Sequence, residues 1–170
     1  MKNKIFSRAG GRSVALGLAA AVAVLLSAGG ARAAVWKGLE PFVSKRADVE
    51  RVLGAPAADR YDANGTLEFN VTGGRVTVFF VTPKFVAAKK LPAHYEGTVL
   101  QIVLQHDTAR DTPESMNLVS NKSFKRAAGR GVETYTDEKD GLIYTFVESR
   151  LKTTRYAYSM DRLVRIQQGK

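Results

Sequence analysis

The chain has 170 residues, no cysteine and a formal net charge of +10. The lack of cysteine excludes a disulfide framework, a thiol nucleophile and a lipid-modified N-terminal cysteine. Five of the 26 basic residues and none of the 16 acidic residues fall within residues 1–33, so the rest of the chain carries a net charge of +5. An excess of this size favours anionic surfaces weakly and is not the signature of a nucleic-acid-binding protein.

Residues 1–33 are typical of a secretory signal. A basic leader precedes an apolar core at residues 13–26, and Ala31 and Ala33 supply the small residues of a cleavage site. An uncleaved anchor is the alternative, although the apolar run is shorter than the roughly 20 residues of a spanning helix. We therefore expect an exported protein, periplasmic or secreted, with a single domain over residues 34–170 and no transmembrane span after cleavage.

Residues 44–56 predict a short helix, because a start signal, an apolar face and a stop signal coincide there. Ser44 is expected to cap the first turn, and Gly54 followed by Pro56 ends the helix. The apolar face consists of Val49, Val52 and Leu53, which recur at helical spacing.

Three strands are expected next. Residues 66–72 alternate between apolar and polar side chains, and residues 75–82 are apolar on both faces, which is typical of a central strand. Gly73 and Gly74 lie between them and suit a hairpin turn. Residues 98–106 form the third predicted strand.

Two stretches resemble loops and one resembles a helix start. Residues 82–97 lack a clear period, and residues 121–131 are basic and contain glycine. Thr112 and Pro113 suit the cap and first position of a second short helix. The last third reads as a meander of four strands at residues 132–136, 142–148, 153–159 and 163–168.

The predicted fold class is therefore α+β. We expect one twisted antiparallel sheet of about six or seven strands, covered on one face by the helix at residues 45–53 and by a second short helix after Pro113.

No chemical motif stands out. His94 and His106 are the only histidines, and neither has a second histidine or cysteine at metal-ligand spacing. Glycine-rich phosphate loops and the Gly-x-Ser-x-Gly nucleophile motif are missing from the sequence. We therefore predict no catalytic residue, no metal and no cofactor.

The candidate partner-binding residues lie in the two predicted loops. Residues 82–97 contribute aromatic side chains, and residues 121–131 contribute the densest basic cluster, which would suit an anionic partner. A second basic cluster in the meander consists of Arg150, Lys152 and Arg155. The candidate residues are Phe85, Tyr95, Lys122, Lys125, Arg126 and Arg130.

The chain resembles a family of short, uncharacterised exported bacterial proteins. The resemblance covers nearly all of the chain after the signal and rests on four features. These are Trp36; the segment at residues 44–56, Ser-Lys-Arg-Ala-Asp-Val-Glu-Arg-Val-Leu-Gly-Ala-Pro; Gly97-Thr98-Val99; and the Tyr-x-Asp-x-x-Asp-Gly pattern at residues 135–141. It implies an exported class and no particular activity.

A looser resemblance is to outer-membrane assembly lipoproteins of the SmpA/OmlA type. Their domain places a helix with a Val-x-x-x-Leu-Gly-x-Pro-like ending before an antiparallel sheet, and residues 49–56 match that ending. Those proteins are anchored through a lipidated cysteine, which this chain lacks.

The sequence favours a non-enzymatic binding or scaffolding module of the cell envelope. Its expected partner is an envelope protein, an anionic polymer or a lipid surface, and not nucleic acid. The first alternative is an inhibitor or regulator of an exported hydrolase, with aromatic loops that plug an active site. The second is a hydrolase that uses His106 and Asp107.

Overall fold

The computed structural model describes residues 34–60 and 65–169, and the signal predicted at residues 1–33 lies outside them. Eight strands form one open antiparallel sheet in this part of the chain. They are β1 (Ala58–Arg60), β2 (Thr66–Val71), β3 (Gly74–Phe80), β4 (Val99–His106), β5 (Lys125–Gly129), β6 (Val132–Asp137), β7 (Leu142–Val147) and β8 (Arg150–Ala157). Their order across the sheet is β1-β2-β3-β4-β8-β7-β6-β5.

The sheet consists of two four-stranded meanders. Strands β1 to β4 pair in succession, strands β5 to β8 do the same, and the pairing of β4 with β8 joins the two halves. The predicted α+β fold with one antiparallel sheet is therefore confirmed. The strand count exceeds the about six or seven expected from periodicity, because β1 and β5 are short edge strands without an apolar pattern.

The first helix, α1 (Arg46–Leu53), lies where the sequence predicts a helix, but its cap differs. The Ser44 hydroxyl instead accepts the Glu40 N–H at 3.0 Å. Lys45 is the N-cap residue, and its N–H donates to Asp48 Oδ2 at 2.9 Å. An acidic side chain reaching back from the first turn therefore holds the start of α1.

The prediction of an irregular loop at residues 82–97 is wrong. The helix α2 (Pro83–Lys89) and a 3₁₀ turn at Ala93–Tyr95 occupy this stretch. Thr82 Oγ1 accepts the Phe85 N–H at 3.2 Å, and proline occupies the first helical position. A threonine cap followed by proline is a recognised helix start, so the signal was present in the sequence.

The helix predicted after Pro113 does not form, and consecutive turns stand in its place. The predicted cap exists, because Thr112 Oγ1 accepts the Ser115 N–H at 3.2 Å. Asn117 then adopts a φ of +55°. A right-handed helix does not accommodate that angle, so the chain leaves the helical path after one turn.

The last helix, α3 (Met160–Gln167), replaces the strand predicted at residues 163–168. Ser159 Oγ accepts a backbone N–H of its first turn at 3.3 Å. Leu163 and Ile166 are buried three positions apart, which is helical spacing. Alternating apolar residues in a short segment are thus compatible with a helix as well as with a strand.

The basic stretch at residues 121–131, predicted as a loop, contains the edge strand β5. All five residues of β5 are exposed, and the strand pairs with β6. Arg130 and Gly131, with φ of +51° and +76°, form the tight turn into β6. Lysine and arginine on an edge strand discourage pairing with other chains.

Two hydrophobic clusters cover one face of the sheet, which we call the covered face. Side chains of α1 and the N-terminal segment pack on β2, β3 and β4. The chain between β4 and β5 packs on β6, β7 and β8. Fully buried members include Val49, Leu67, Val78, Ile102 and Phe146.

A third cluster closes one end of the sheet. Side chains of α2 and α3 meet there with Phe42, which lies in the N-terminal segment. Its buried members are Phe42, Val81, Leu91, Leu163 and Ile166. The three helices therefore pack on one face and one end of the sheet.

The opposite face, the open face, contributes no strand residue to these three clusters. Its side chains are mainly threonines, half-buried apolar residues, amides and cations, together with the acidic Glu68. The open face is therefore the broad surface that the fold leaves without a covering layer.

Among the residues that the structure describes, no helix is both long and apolar enough to span a membrane.

Candidate functional site

A cleft of about 330 Å³ lies at the end of β4 and extends onto the open face. We call it the cationic cleft. Three strands and the residue after β4 supply its walls. Its lining consists of Arg75, Gln105, His106, Asp107, Lys152 and Thr153.

Strand register places these side chains together. Arg75 on β3 pairs with Gln105 on β4, and Gln105 pairs with Thr153 on β8. Side chains paired across neighbouring antiparallel strands share a face and stand about 5 Å apart. Arg75, Gln105 and Thr153 therefore form one row across the open face.

Lys152 reaches the cleft because β8 carries an irregularity. The register between β7 and β8 shifts after Thr145, which pairs with Thr153, while Phe146 pairs with Leu151. Lys152 is the additional residue on β8, and it is exposed. Bulges of this kind redirect a side chain, here an ammonium group, beside the row.

The cations around the cleft have no acidic partner in the described part of the chain. Arg75, Lys152 and Arg155 are all exposed, and none of them takes part in an ion pair there. Arg155 lies two residues beyond Thr153, on the same face. Asp107 is the one acidic residue in the lining. The lining therefore carries more positive than negative charge, and its two cations form no ion pair with an acid among the described residues.

A second cleft, of about 230 Å³, lies beside the first and shares Gln105 and His106 with it. We call it the Trp36 cleft. Leu104, His106 and Val71 belong to the covered face by strand alternation. The remaining lining residues are Trp36, Lys37, Thr72, Gly73 and Gly74.

His106 connects the two clefts and is held by a buried hydroxyl. Its Nε2 and Thr154 Oγ1 are hydrogen-bonded at 2.9 Å, and Thr154 is only 3% exposed. Partial burial lowers the pKa of His106 below its ordinary value of 6.5, although Asp111 and Asp107 act in the opposite direction. Burial thus favours the neutral imidazole.

The aromatic candidates Phe85 and Tyr95 lie in the cluster at the end of the sheet. The Phe42 ring contacts both, with centroids at 6.4 Å from Phe85 and 5.8 Å from Tyr95. Tyr158 packs on Phe42 at 5.0 Å. Phe85 and Tyr95 are partly buried parts of this packing rather than free loop side chains.

The basic candidates Lys122, Lys125, Arg126 and Arg130 are exposed and lie on or beside edge strand β5. Two of them have acidic partners: Lys125 pairs with Glu138, and Arg126 pairs with Glu133 at 3.0 Å. The structure does not bring these residues to either cleft. Part of their charge is neutralised across β6.

The sequence contained a partial signal for the cationic cleft. Lys152 and Arg155 belong to the second basic cluster predicted in the meander, but Arg75 and Gln105 come from other strands. Their juxtaposition depends on the pairing of β4 with β8, which joins segments about 50 positions apart. Alternation within single strands does not specify that pairing.

The described residues contain no group of three or more histidine, aspartate or glutamate side chains that could hold a metal ion. Comparison of the chain with models of known families, with curated proteins and with solved structures gave no match in any of the three. The two resemblances drawn from sequence motifs remain predictions.

Proposed function

We propose that this protein is an exported, non-catalytic binding module that holds an anionic polymer of the cell envelope in the cationic cleft. Export rests on the basic leader, apolar core and small-residue cleavage site at residues 1–33. Binding rests on the geometry at the end of β4.

One observation carries the proposal. Arg75 and Lys152 line a cleft on an uncovered sheet face, and Arg155 lies on the same face two residues beyond Thr153. None of the three has an acidic partner among the described residues. Arg126 on β5, by contrast, pairs with Glu133. Cations left unpaired around a concavity are suited to carboxylate or phosphate groups, with arginine able to bind in bidentate fashion.

The cleft favours binding over catalysis. A nucleophile must reach its substrate, and the hydroxyl nearest to the His106 ring belongs to Thr154, which is buried. In a serine-type triad a carboxylate also orients the histidine through its second nitrogen. In the described chain, Thr154 is the side-chain hydrogen-bond partner of His106.

The test is calorimetric titration of the purified protein with polyphosphate, an acidic polysaccharide and anionic lipid vesicles. We expect both polymers to bind and the double variant Arg75→Ala/Lys152→Ala to lose most of the affinity. Because two cations are removed, the slope of log affinity against log salt should fall by about two.

A matched control removes the same net charge elsewhere. Lys125→Ala/Arg126→Ala deletes two cations that already have acidic partners, so we expect little change in affinity. If the two double variants lowered the affinity for the polymer equally, net charge alone would attract the polymer, and the cationic cleft would not be its binding site. Binding to vesicles but to neither polymer would also overturn the proposal.

The hydrolase alternative was predicted on His106 and Asp107. Its strongest support is a different contact, because Thr154 Oγ1 lies 2.9 Å from His106 Nε2, which is the spacing of a base and its nucleophile. It requires local opening, because Thr154 is buried. Turnover of ester substrates that disappears in both His106→Ala and Thr154→Val would support this alternative over binding alone.

A further inference from the structure

The only tryptophan of the chain lies next to the cationic cleft, in the Trp36 cleft. The two clefts share Gln105 and His106 at the end of β4. A ligand that occupies both would meet an aromatic ring on the covered side and unpaired cations on the open side.

A rigid support fixes the position of the Trp36 ring. The backbone N–H of Trp36 donates to the Leu39 carbonyl at 3.0 Å, and the backbone N–H of Leu39 donates to the Trp36 carbonyl at 2.8 Å. Lys37 and Gly38 turn the chain between them with φ of +50° and +79°. The ring also packs on Tyr156, with centroids 6.4 Å apart. The ring is therefore held in place before any ligand arrives.

The face of the Trp36 ring is occupied by the Lys37 ammonium group, which a ligand can displace. Lys37 Nζ lies 5.3 Å from the Trp36 centroid, a cation–π distance at an exposed side chain. Such a contact is weak at an exposed site. A sugar ring, which presents C–H groups to an aromatic face, could replace the ammonium group. Thr72, Gln105 and His106 would then accept or donate hydrogen bonds to its hydroxyls.

We infer that the polymer bound by this protein is an acidic polysaccharide, with one sugar ring on Trp36 and a neighbouring carboxylate at Arg75 and Lys152. This inference rests on the proposed function. Polyphosphate has no ring for Trp36. A flat lipid headgroup layer does not reach clefts that open on both faces of a sheet, whereas a chain passing around the end of β4 does.

The test compares the affinity of the purified protein for three polymers. Polygalacturonate carries sugar rings and carboxylates, its fully methyl-esterified form carries the rings without the charge, and polyphosphate carries the charge alone. Because Trp36 is the only tryptophan, its fluorescence reports occupancy of the Trp36 cleft directly. We expect polygalacturonate to bind most tightly and to change the emission, and polyphosphate to bind without changing it.

Two variants separate the clefts. Trp36→Phe retains a smaller ring for packing on Tyr156. It should weaken polygalacturonate binding by up to about fivefold, because the phenyl ring offers a sugar less apolar surface than the indole, while leaving polyphosphate binding unchanged. Thr72→Gln, at an exposed turn position that lines the cleft, should act in the same direction by filling space.

The outcomes distinguish the inference from the proposed function. If polyphosphate and polygalacturonate bind equally well and the emission stays constant, the inference fails and the proposed function stands. If neither polymer binds, both fail. A loss of polyphosphate binding in Trp36→Phe would show that the variant disturbs the cationic cleft, which contradicts the separation of roles.

Discussion

Arg162, in the first turn of α3, donates a hydrogen bond to the carboxylate of Glu40, which lies 122 positions earlier in the chain. The Arg162 side chain is 15% exposed and that of Glu40 is 32% exposed. The backbone N–H of Glu40 donates to Ser44 Oγ, just before α1. This ion pair therefore joins the last helix to the segment that precedes the first.

The ion pair gives the first prediction. In a double-mutant cycle of Arg162→Ala and Glu40→Gln, we expect a coupling of about 1 kcal/mol in the free energy of unfolding, because the pair is partly shielded from water. Urea denaturation measures it. The pair of Arg46 and Glu50, at i, i+4 on one helix, has side chains that are 34% and 38% exposed, which is more than the 15% of Arg162, and should give about 0.3–0.5 kcal/mol. Equal coupling in the two pairs would contradict the role given to shielding.

The second prediction concerns the covered face. Val49 is fully buried between α1 and the sheet, so Val49→Ala should reduce the free energy of unfolding by about 2 kcal/mol through lost burial and a residual cavity. Val52 lies on the same helix and is 39% exposed. Val52→Ala should cost less than about 0.5 kcal/mol. Similar costs at both positions would mean that α1 does not cover the sheet as described.

The third prediction concerns the close approach of β3 to β4. A Cβ atom on Gly74 would lie 1.8 Å from the Gln105 carbonyl oxygen, so the strands would have to separate. Gly74→Ala should cost at least about 2 kcal/mol of stability and should weaken polymer binding, because Gln105 lines both clefts. Gly129→Ala is the matched control on strand β5. A Cβ atom at Gly129 would meet nothing within 4 Å, so the thermal midpoint of unfolding should be the same in Gly129→Ala as in the wild type.

The fourth prediction concerns pH. The pKa of His106 is lowered in the folded state, so the unfolded chain takes up a proton more readily as the pH falls through 6.5. The contribution of His106 to stability is thus present above that pH and is lost as the pH falls through the lowered pKa. His106→Gln should show a smaller loss of stability between about pH 7 and about pH 5 than the wild type.

The other histidine provides the control for the pH experiment. His94 is exposed in the 3₁₀ turn and lies outside both clefts, so His94→Gln controls for the loss of a histidine side chain as such. Urea denaturation at several pH values measures each variant. A parallel pH dependence in wild type and His106→Gln would show that other groups cause the loss.

Much of the fold followed from local patterns. The strands at residues 66–72, 75–82 and 98–106 and the helix ending at Gly54 were predictable, because alternation, helical spacing and a glycine with φ of +82° act within a few residues. The turn before β7 was also predictable: Gly141 has a φ of +73°, as its place at the end of the turn requires.

The failures also have physical causes. Strand β5 lacks large apolar residues and exists through backbone pairing with β6, which a pattern of side chains does not reveal. Helix α3 is too short for its period to be distinguished from alternation, and its Ser159 cap was the deciding signal. The clefts depend on contacts between distant strands, so only single members such as Lys152 could be identified beforehand.

The pairing of β4 with β8 has a consequence for the order of events as the chain is made. During synthesis, β4 emerges as the end of the first meander, whereas β8 is the last strand of the sheet in the described part of the chain. Until β8 is complete, β4 is a newly made edge with apolar residues such as Ile102 and an unpaired row of backbone groups. A nascent chain that stalls before β8 would therefore display an aggregation-prone edge, and the late arrival of one strand would both protect it and assemble the binding site.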